Sequence, residues 1–419
     1  ERFYLKQQPE AALARAKTLL TLSDTPPVTN DPTDLRRLIK HEGPEKQHNI
    51  VLVSVESLSA SYLRHFKETF KIKSWITPNL DRLADEGIMF TNLYATGTRT
   101  VRGLEALTLS VPPTPGQSIV WRPKNADMFS IGSVCRSRGY DTSYVYGGDA
   151  IFDNMRNFFS ANGYRVVDRS TKTKKDITFQ NAWGVADEDL FRWALQEADG
   201  NQAAGKPFFM HVMTVSNHRP FTFPEGRIDK AQGTRDAAVK YTDYAIGKFL
   251  EDAKSKPWFN NTVFIIVADH CSNSAGKVEL DVTKYHIPCI IWNPTLIKPR
   301  VFDQLCSQID VVPTVFGMLN WSYTTRSFGQ DVFSPGYTPD RHRAYVSNYQ
   351  KIAMITKDTL AMLKPKQQFT LGKVNLKTGA LEPDTTGALK SHLDDTVSLY
   401  QSASWLFRNG RLSASTDKP

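Results

Sequence analysis

Cysteine is scarce, with four residues in 419, and Cys135, Cys271, Cys289 and Cys306 form no C-x-x-C pair. The number excludes a disulfide-built scaffold, and the spacing argues against a cysteine-ligated structural zinc. No stretch reaches the roughly 18 apolar residues of a membrane span. The longest apolar runs, such as Val263–Ala268, suit buried strands. Internal repeats, low-complexity segments and blocks of like charge are also missing. Lys and Arg exceed Asp and Glu by 52 to 43, a net charge of +9 spread along the chain. Such an excess favours anionic surfaces in general, yet no run or motif for nucleic acid accompanies it. The chain opens at Glu1 with neither an initiator Met nor a signal-peptide pattern. It therefore reads as a mature or excised fragment.

What is present is ordinary globular composition, 40% hydrophobic and 23% charged, in a chain long enough for a large core. Residues 1–46 are polar and weakly periodic; Ala11–Leu22 suits a short helix, and Thr25-Pro26-Pro27 through Pro32 suits a linker. At Asn49–Val55 the character changes to a continuous, β-branched run typical of a strand buried on both faces. Further strands are expected at Met89–Tyr94, Tyr144–Tyr146, Phe208–Val215, Val263–Ala268 and Ile287–Trp292. Helical patterns lie between them at Asn79–Glu86, Leu104–Leu109, Met128–Ser137, Glu188–Glu197 and Ala237–Ala253. This alternation predicts an α/β three-layer sandwich with a mostly parallel central sheet over residues 47–335. From residue 336 to 419, short strand patterns and a helical stretch, Val397–Phe407, predict a small antiparallel sheet with a helix.

Ligands of open α/β sheets bind outside the carboxyl ends of the strands, and polar clusters fall there. The first strand ends in Glu56-Ser57, and the last long apolar strand ends in Asp269-His270. Two more strand ends run into Gly97-Thr98-Arg99-Thr100 and Ser216-Asn217-His218-Arg219-Pro220. Two carboxylates, an imidazole and a hydroxyl converging on one rim suit a divalent metal. Taken singly, each has a plainer reading. Glu56 serves equally as a solvated or capping group, Thr100 as a helix N-cap, and His218 as an exposed loop residue. Arg99 and Arg102 flank Thr100 and could neutralise phosphate oxygens, or stand as exposed arginines at a helix start. His286 precedes a strand near the same rim, where substrate and structural roles are both open. Cys271 adjoins His270, but adjacent residues at one strand end rarely both face an ion.

Together, Asn49–Ser57, Thr77–Leu83 and Gly87–Asn92 resemble the opening of the alkaline-phosphatase/sulfatase superfamily. Gly97–Thr100, Ser216–Phe221, Ala268–His270 and Ser307–Thr314 resemble its lipoteichoic acid synthase branch. The resemblance covers about residues 48–335 and implies a phosphoglycerol transferase. It makes Glu56, Thr100, Asp269 and His270 the metal ligands, with Thr100 also the nucleophile, and His218 a headgroup or leaving-group residue. The implied metal is one divalent ion, manganese first, with magnesium or zinc as alternatives. The implied donor is phosphatidylglycerol or another anionic phospholipid, and the acceptor a glycan or glycolipid; no nucleic acid is involved. The resemblance also implies a membranous N-terminal part joined by residues 1–46, with this domain on the periplasmic or extracellular side of the cytoplasmic (inner) membrane. Where that branch carries Trp-Asn-Arg to hold phosphoglycerol, this chain reads Phe152-Asp153-Asn154-Met155-Arg156. Asp153 and Arg156 are thus candidates for substrate contact. A sulfatase needs Cys or Ser within C/S-x-P-x-R, and Thr100-Val101-Arg102-Gly103-Leu104 lacks it. A phosphoethanolamine transferase, a phosphodiesterase- or sulfatase-like hydrolase of the same superfamily, and a non-catalytic binding module remain as alternatives.

Overall fold

In the computed structural model, which describes residues 3–72, 74–276 and 279–414, the apolar runs become strands. Every residue of Asn49–Val55, Phe208–Met213, Thr262–Ala268 and His286–Trp292 is buried. Strands buried on both faces require a covering layer on each side, and helices supply both. Across the central sheet the order is Cys306–Ser307, Ile88–Tyr94, His286–Trp292, Thr262–Ala268, Asn49–Val55, Phe208–Met213, Asp141–Tyr146 and Arg165–Val167. Arg300–Phe302 joins beside Ile88–Tyr94. Pairing is parallel throughout, apart from His286–Trp292, which runs against both its neighbours.

The register positions the site. Val55 lies opposite Ala268, and Ser54 opposite Met213. The residues that follow, Glu56, Asp269 and Thr214, therefore emerge side by side at one rim. Because His286–Trp292 runs the other way, its first residue lies at that rim too, opposite Tyr94.

A separate antiparallel sheet follows, ordered Ala344–Ser347, Ile352–Thr356, Thr359–Lys364, Gln368–Val374 and Leu381–Pro383. The helix Lys390–Arg408 is tied to it by Tyr400 Oη donating to Ala353 O at 2.6 Å.

Residues 1–46, expected as a connector, are docked along much of their length. The helix Pro9–Leu20 buries Ala12, Leu13, Ala16 and Leu20 and packs on Lys390–Arg408. Gln7 N donates to Gln401 Oε1 at 2.9 Å, and Gln401 Nε2 returns a bond to Gln7 O at 2.8 Å. Arg37–Ile39 pairs antiparallel with Tyr323–Thr325. The short helix expected at Ala11–Leu22 is present as Pro9–Leu20; its docking was not legible because half of its buried face is alanine, which carries little hydrophobic weight while still allowing close packing.

Candidate active site

Glu56 and Asp269 leave adjacent parallel strands and are both buried. Ser57 closes the turn after Glu56 with a left-handed backbone (φ 53°), its N–H donating to Asp269 Oδ1 at 2.9 Å and its hydroxyl to Glu56 Oε1 at 2.8 Å. His270 N also donates to Asp269 Oδ1, at 2.7 Å. Asp269 Oδ2 is buried and accepts no hydrogen bond. An orphaned carboxylate oxygen is costly in a protein interior unless something positive faces it.

His270 donates Nδ1–H to Cys271 O at 2.8 Å, which turns Nε2 toward the carboxylates. Nε2 stands 3.5 Å from both Glu56 Oε1 and Asp269 Oδ2. The fourth group is Thr100, the first residue of the helix Thr100–Leu109, whose Oγ1 donates to Glu56 Oε2 at 3.1 Å. Its helix is seated against the rim by Gly103, where a Cβ would fall 2.5 Å from Asp269 O.

The electrostatics call for a cation. Burial pushes the Asp269 carboxyl well above its ordinary range, and the Glu56 charge pushes the same way. Burial works against Glu56 ionising too, but the His270 hydrogen bond and the charges of His270 and His218 hold it well below the usual range. Burial would lower the His270 imidazole, yet the Asp269 and Glu56 charges push it up to about 9. Glu56, Asp269 and His270 each offer one ligand atom, all within 4.8 Å of one another. Two carboxylates, an imidazole oriented through its other nitrogen and a neighbouring hydroxyl fit a divalent metal.

A cleft of about 460 Å³ opens over this group. Glu56, Thr100, His270, His218, Arg99 and Asp153 line it. His218 Nδ1 bonds Arg219 O at 2.9 Å, and its ring lies 4.2 Å from that of Trp183. Burial raises the Asp153 carboxyl, while Arg99 and a Trp121 hydrogen bond oppose that rise.

Three candidates do not line the cleft. Arg102 turns inward, donating to Glu105 Oε1 at 3.0 Å and Thr114 O at 2.7 Å, with a further short bond to Gly116 O. Successive helical residues are rotated by about 100°, so two residues after Thr100 the side chain is carried to the far face. Arg156 pairs with buried Asp168 at 2.7 Å. His286 is buried against Phe66, Phe70 and Tyr94, and its Nε2 donates to Thr91 O at 2.8 Å. Burial lowers its pKa to about 4. Cys271 directs its thiol to His286 O at 3.1 Å.

Other residues escaped the sequence reading. Gln308 donates to Ala268 O at 2.8 Å and Asp269 O at 2.9 Å while accepting from Thr96 N at 3.2 Å. It thus joins the strand end bearing Asp269 to the segment leading to Thr100. Asn217 Nδ2 donates to Glu56 O and Ser57 O at 3.0 and 3.1 Å, fixing the turn that presents Glu56. Trp183 and Arg235 line the cleft from segments that carried no motif.

The sulfatase family model matches residues 48–321, and the chain belongs to that family. Among proteins of known name it is similar to phosphoglycerol transferase I of Citrobacter koseri, 26% identical over 255 residues, covering 56% of this chain and 32% of that protein. It is also similar to phosphoglycerol transferase I of Xanthomonas campestris pv. campestris, 25% identical over 318 residues, covering 70% and 44%. The matched part thus spans 32% and 44% of the length of these relatives, less than half of either. Among solved structures, an alkaline phosphatase superfamily protein from Vibrio parahaemolyticus superposes with TM-score 0.90 and 33% identity, covering 99% of this chain and all of that one. The lipoteichoic acid synthase LtaP from Listeria monocytogenes shares the fold at TM-score 0.72 and 20% identity, covering 95% and 98%.

Proposed function

We propose that the protein transfers a phosphoglycerol headgroup from phosphatidylglycerol, or a related anionic phospholipid, to a glycan or glycolipid acceptor. The observation that carries this reading is Thr100, a hydroxyl at a helix N-terminus 3.1 Å from Glu56, beside the unpartnered oxygen of Asp269. The names of the matched relatives supply the headgroup.

Glu56, Asp269, His270 and Thr100 would hold one divalent cation, manganese first, with magnesium or zinc as substitutes. Such an ion supplies the Lewis acidity by which a threonine hydroxyl becomes nucleophilic at neutral pH. The remaining work falls to the chain itself. Amides at the start of Thr100–Leu109 and the exposed Arg99 face the phosphate oxygens, where a helix N-terminus favours negative charge. Thr100 Oγ1 loses its proton to solvent and attacks phosphorus in line, the bond to the diacylglycerol oxygen breaks, and a phosphodiester on Thr100 forms; Thr100 takes a proton back from solvent when it is later released. His218, across the cleft, passes a proton to the departing oxygen and recovers one from the acceptor hydroxyl, which then attacks and frees Thr100. Asp153 lies within reach of the headgroup.

We propose that this domain works on the outer face of the cytoplasmic membrane, where an anionic phospholipid donor would be within its reach. The test is manganese-stimulated release of diacylglycerol from phosphatidylglycerol vesicles, with Thr100→Ala as control. Turnover should fall by at least about 10³-fold in the variant. Failure to turn over any anionic phospholipid would favour a headgroup-binding module, and faster turnover of phosphatidylethanolamine would reassign the headgroup.

A further inference from the structure

Of the nine large apolar side chains exposed among the described residues, four lie at or beside the mouth of the cleft, Phe152 and Trp183 lining it. Ile151 is 76% exposed, Phe152 47%, Trp121 45% and Trp183 37%. They form one patch. The Phe152 and Trp183 rings meet edge to face at 5.4 Å, Trp183 lies against His218, and Trp121 hydrogen-bonds Asp153, the neighbour of Phe152. The turn at Ile151–Asn154 passes through left-handed conformations at Asp153 (φ 54°) and Asn154 (φ 57°), and so lifts Ile151 and Phe152 outward. Gly184 is pressed against the backbone of Gly147, where a Cβ would fall 2.5 Å from Gly147 O. That contact holds Trp183 over the rim.

The charge around the patch has one sign in excess. Arg99, Lys124 and Arg219 are exposed there, and among the described residues none of them takes part in an ion pair. Of the nearby acids, Asp149 is paired with Arg169 at 2.8 Å, and Asp153 is half-buried. Tryptophan and phenylalanine beside unpaired cations suit the interface of an anionic bilayer, where amphipathic rings sit at headgroup level and each basic residue adds attraction.

We infer that this rim docks on the surface of an anionic membrane, inserting Ile151, Phe152, Trp121 and Trp183 so that the cleft opens onto the bilayer. The inference rests on the proposed lipid donor for its purpose, and on the patch itself for its evidence. It explains how a headgroup reaches Thr100 while its acyl chains remain in the membrane.

The experiment uses the full chain and vesicles of phosphatidylserine in phosphatidylcholine, an anionic lipid surface that lacks the proposed phosphoglycerol headgroup. Wild-type protein should float with these vesicles and be released by high salt, and bromine-labelled acyl chains should quench its tryptophan emission. Ile151→Asp and Lys124→Glu lie outside the cleft lining. Each should retain the wild-type circular dichroism spectrum and release of alcohol from a soluble glycerophosphodiester, yet bind vesicles at least tenfold more weakly. Wild-type protein that fails to float, or variants that float equally well, would overturn the inference, as would equal binding to pure phosphatidylcholine. Vesicle binding without turnover of phosphatidylglycerol would sink the proposed function and leave the docking surface standing.

Discussion

Replacing Gly103 by alanine sets two effects against each other. Gly103 lies inside the helix Thr100–Leu109, and by helix propensity alone alanine there is favoured by about 0.8–1 kcal/mol. A Cβ at this position, however, falls 2.5 Å from Asp269 O and 2.8 Å from Asp269 Cα. Ordinary contact begins near 3.4 Å, so helix and strand end must separate by about 1 Å. These neighbours are sheet backbone and cannot swing aside like a side-chain tip. Overpacking of this kind costs about 1–3 kcal/mol, which outweighs the propensity gain. The separation falls between Thr100 and Asp269, and a 1 Å misplacement of reacting groups costs about 10²-fold in rate. Gly103→Ala should therefore melt below wild type, and diacylglycerol release should drop by about two orders of magnitude. Differential scanning calorimetry and the vesicle assay read the two quantities separately. A variant that melts higher and turns over at the wild-type rate would refute the claim that this glycine sets the distance between hydroxyl and carboxylate.

Two other perturbations have definite signs. His211 is buried on the central sheet, 2.8 Å from Ser54 Oγ, and burial lowers its pKa to about 3. Between pH 6.5 and about 3 the unfolded chain binds a proton there that the native chain does not, so stability falls as pH falls through that window, by at most about 1.4 kcal/mol per pH unit. His211→Gln should lose that component, and denaturant curves for the two proteins that stay parallel from pH 6.5 to 4 would contradict it. Asp269→Asn keeps an oxygen for the Ser57 and His270 amides while removing a charge crowded against Glu56. In metal-free buffer it should be more stable than wild type by about 1 kcal/mol, the range of single substitutions that relieve a site kept for function; a less stable variant would mean that the lost attraction to His270 outweighs the repulsion between the two carboxylates.

How much the sequence disclosed depended on whether a residue's neighbours were local. The central strands were legible because runs such as Thr262–Ala268 are apolar at every position, and a parallel sheet then dictates that their ends share a rim. Glu56, Asp269 and His270 could be grouped on that basis alone. Arg102 could not be placed, because its partners, Thr114 and Gly116, belong to the loop after its helix. Arg156 is held by Asp168, at the end of the short edge strand Arg165–Val167, which carried too little pattern to read. His286 was correctly brought near the rim, but the aromatic rings that enclose it come from residues 66, 70 and 94. Gln308 and Asn217 act through backbone carbonyls, and amide side chains give no hint in sequence of which carbonyls they will meet. Trp183 reaches the cleft through a glycine contact between distant loops, a tertiary accident of shape invisible to periodicity.

The account turns on one ion shared by groups from separate strand ends. Calorimetric titration of chelator-treated protein with manganese measures this most directly. Wild type should take up one ion per chain with a matching rise in melting temperature, and Asp269→Asn should show neither. Uptake that survives in Asp269→Asn, or its absence in a folded wild type, would contradict the shared site.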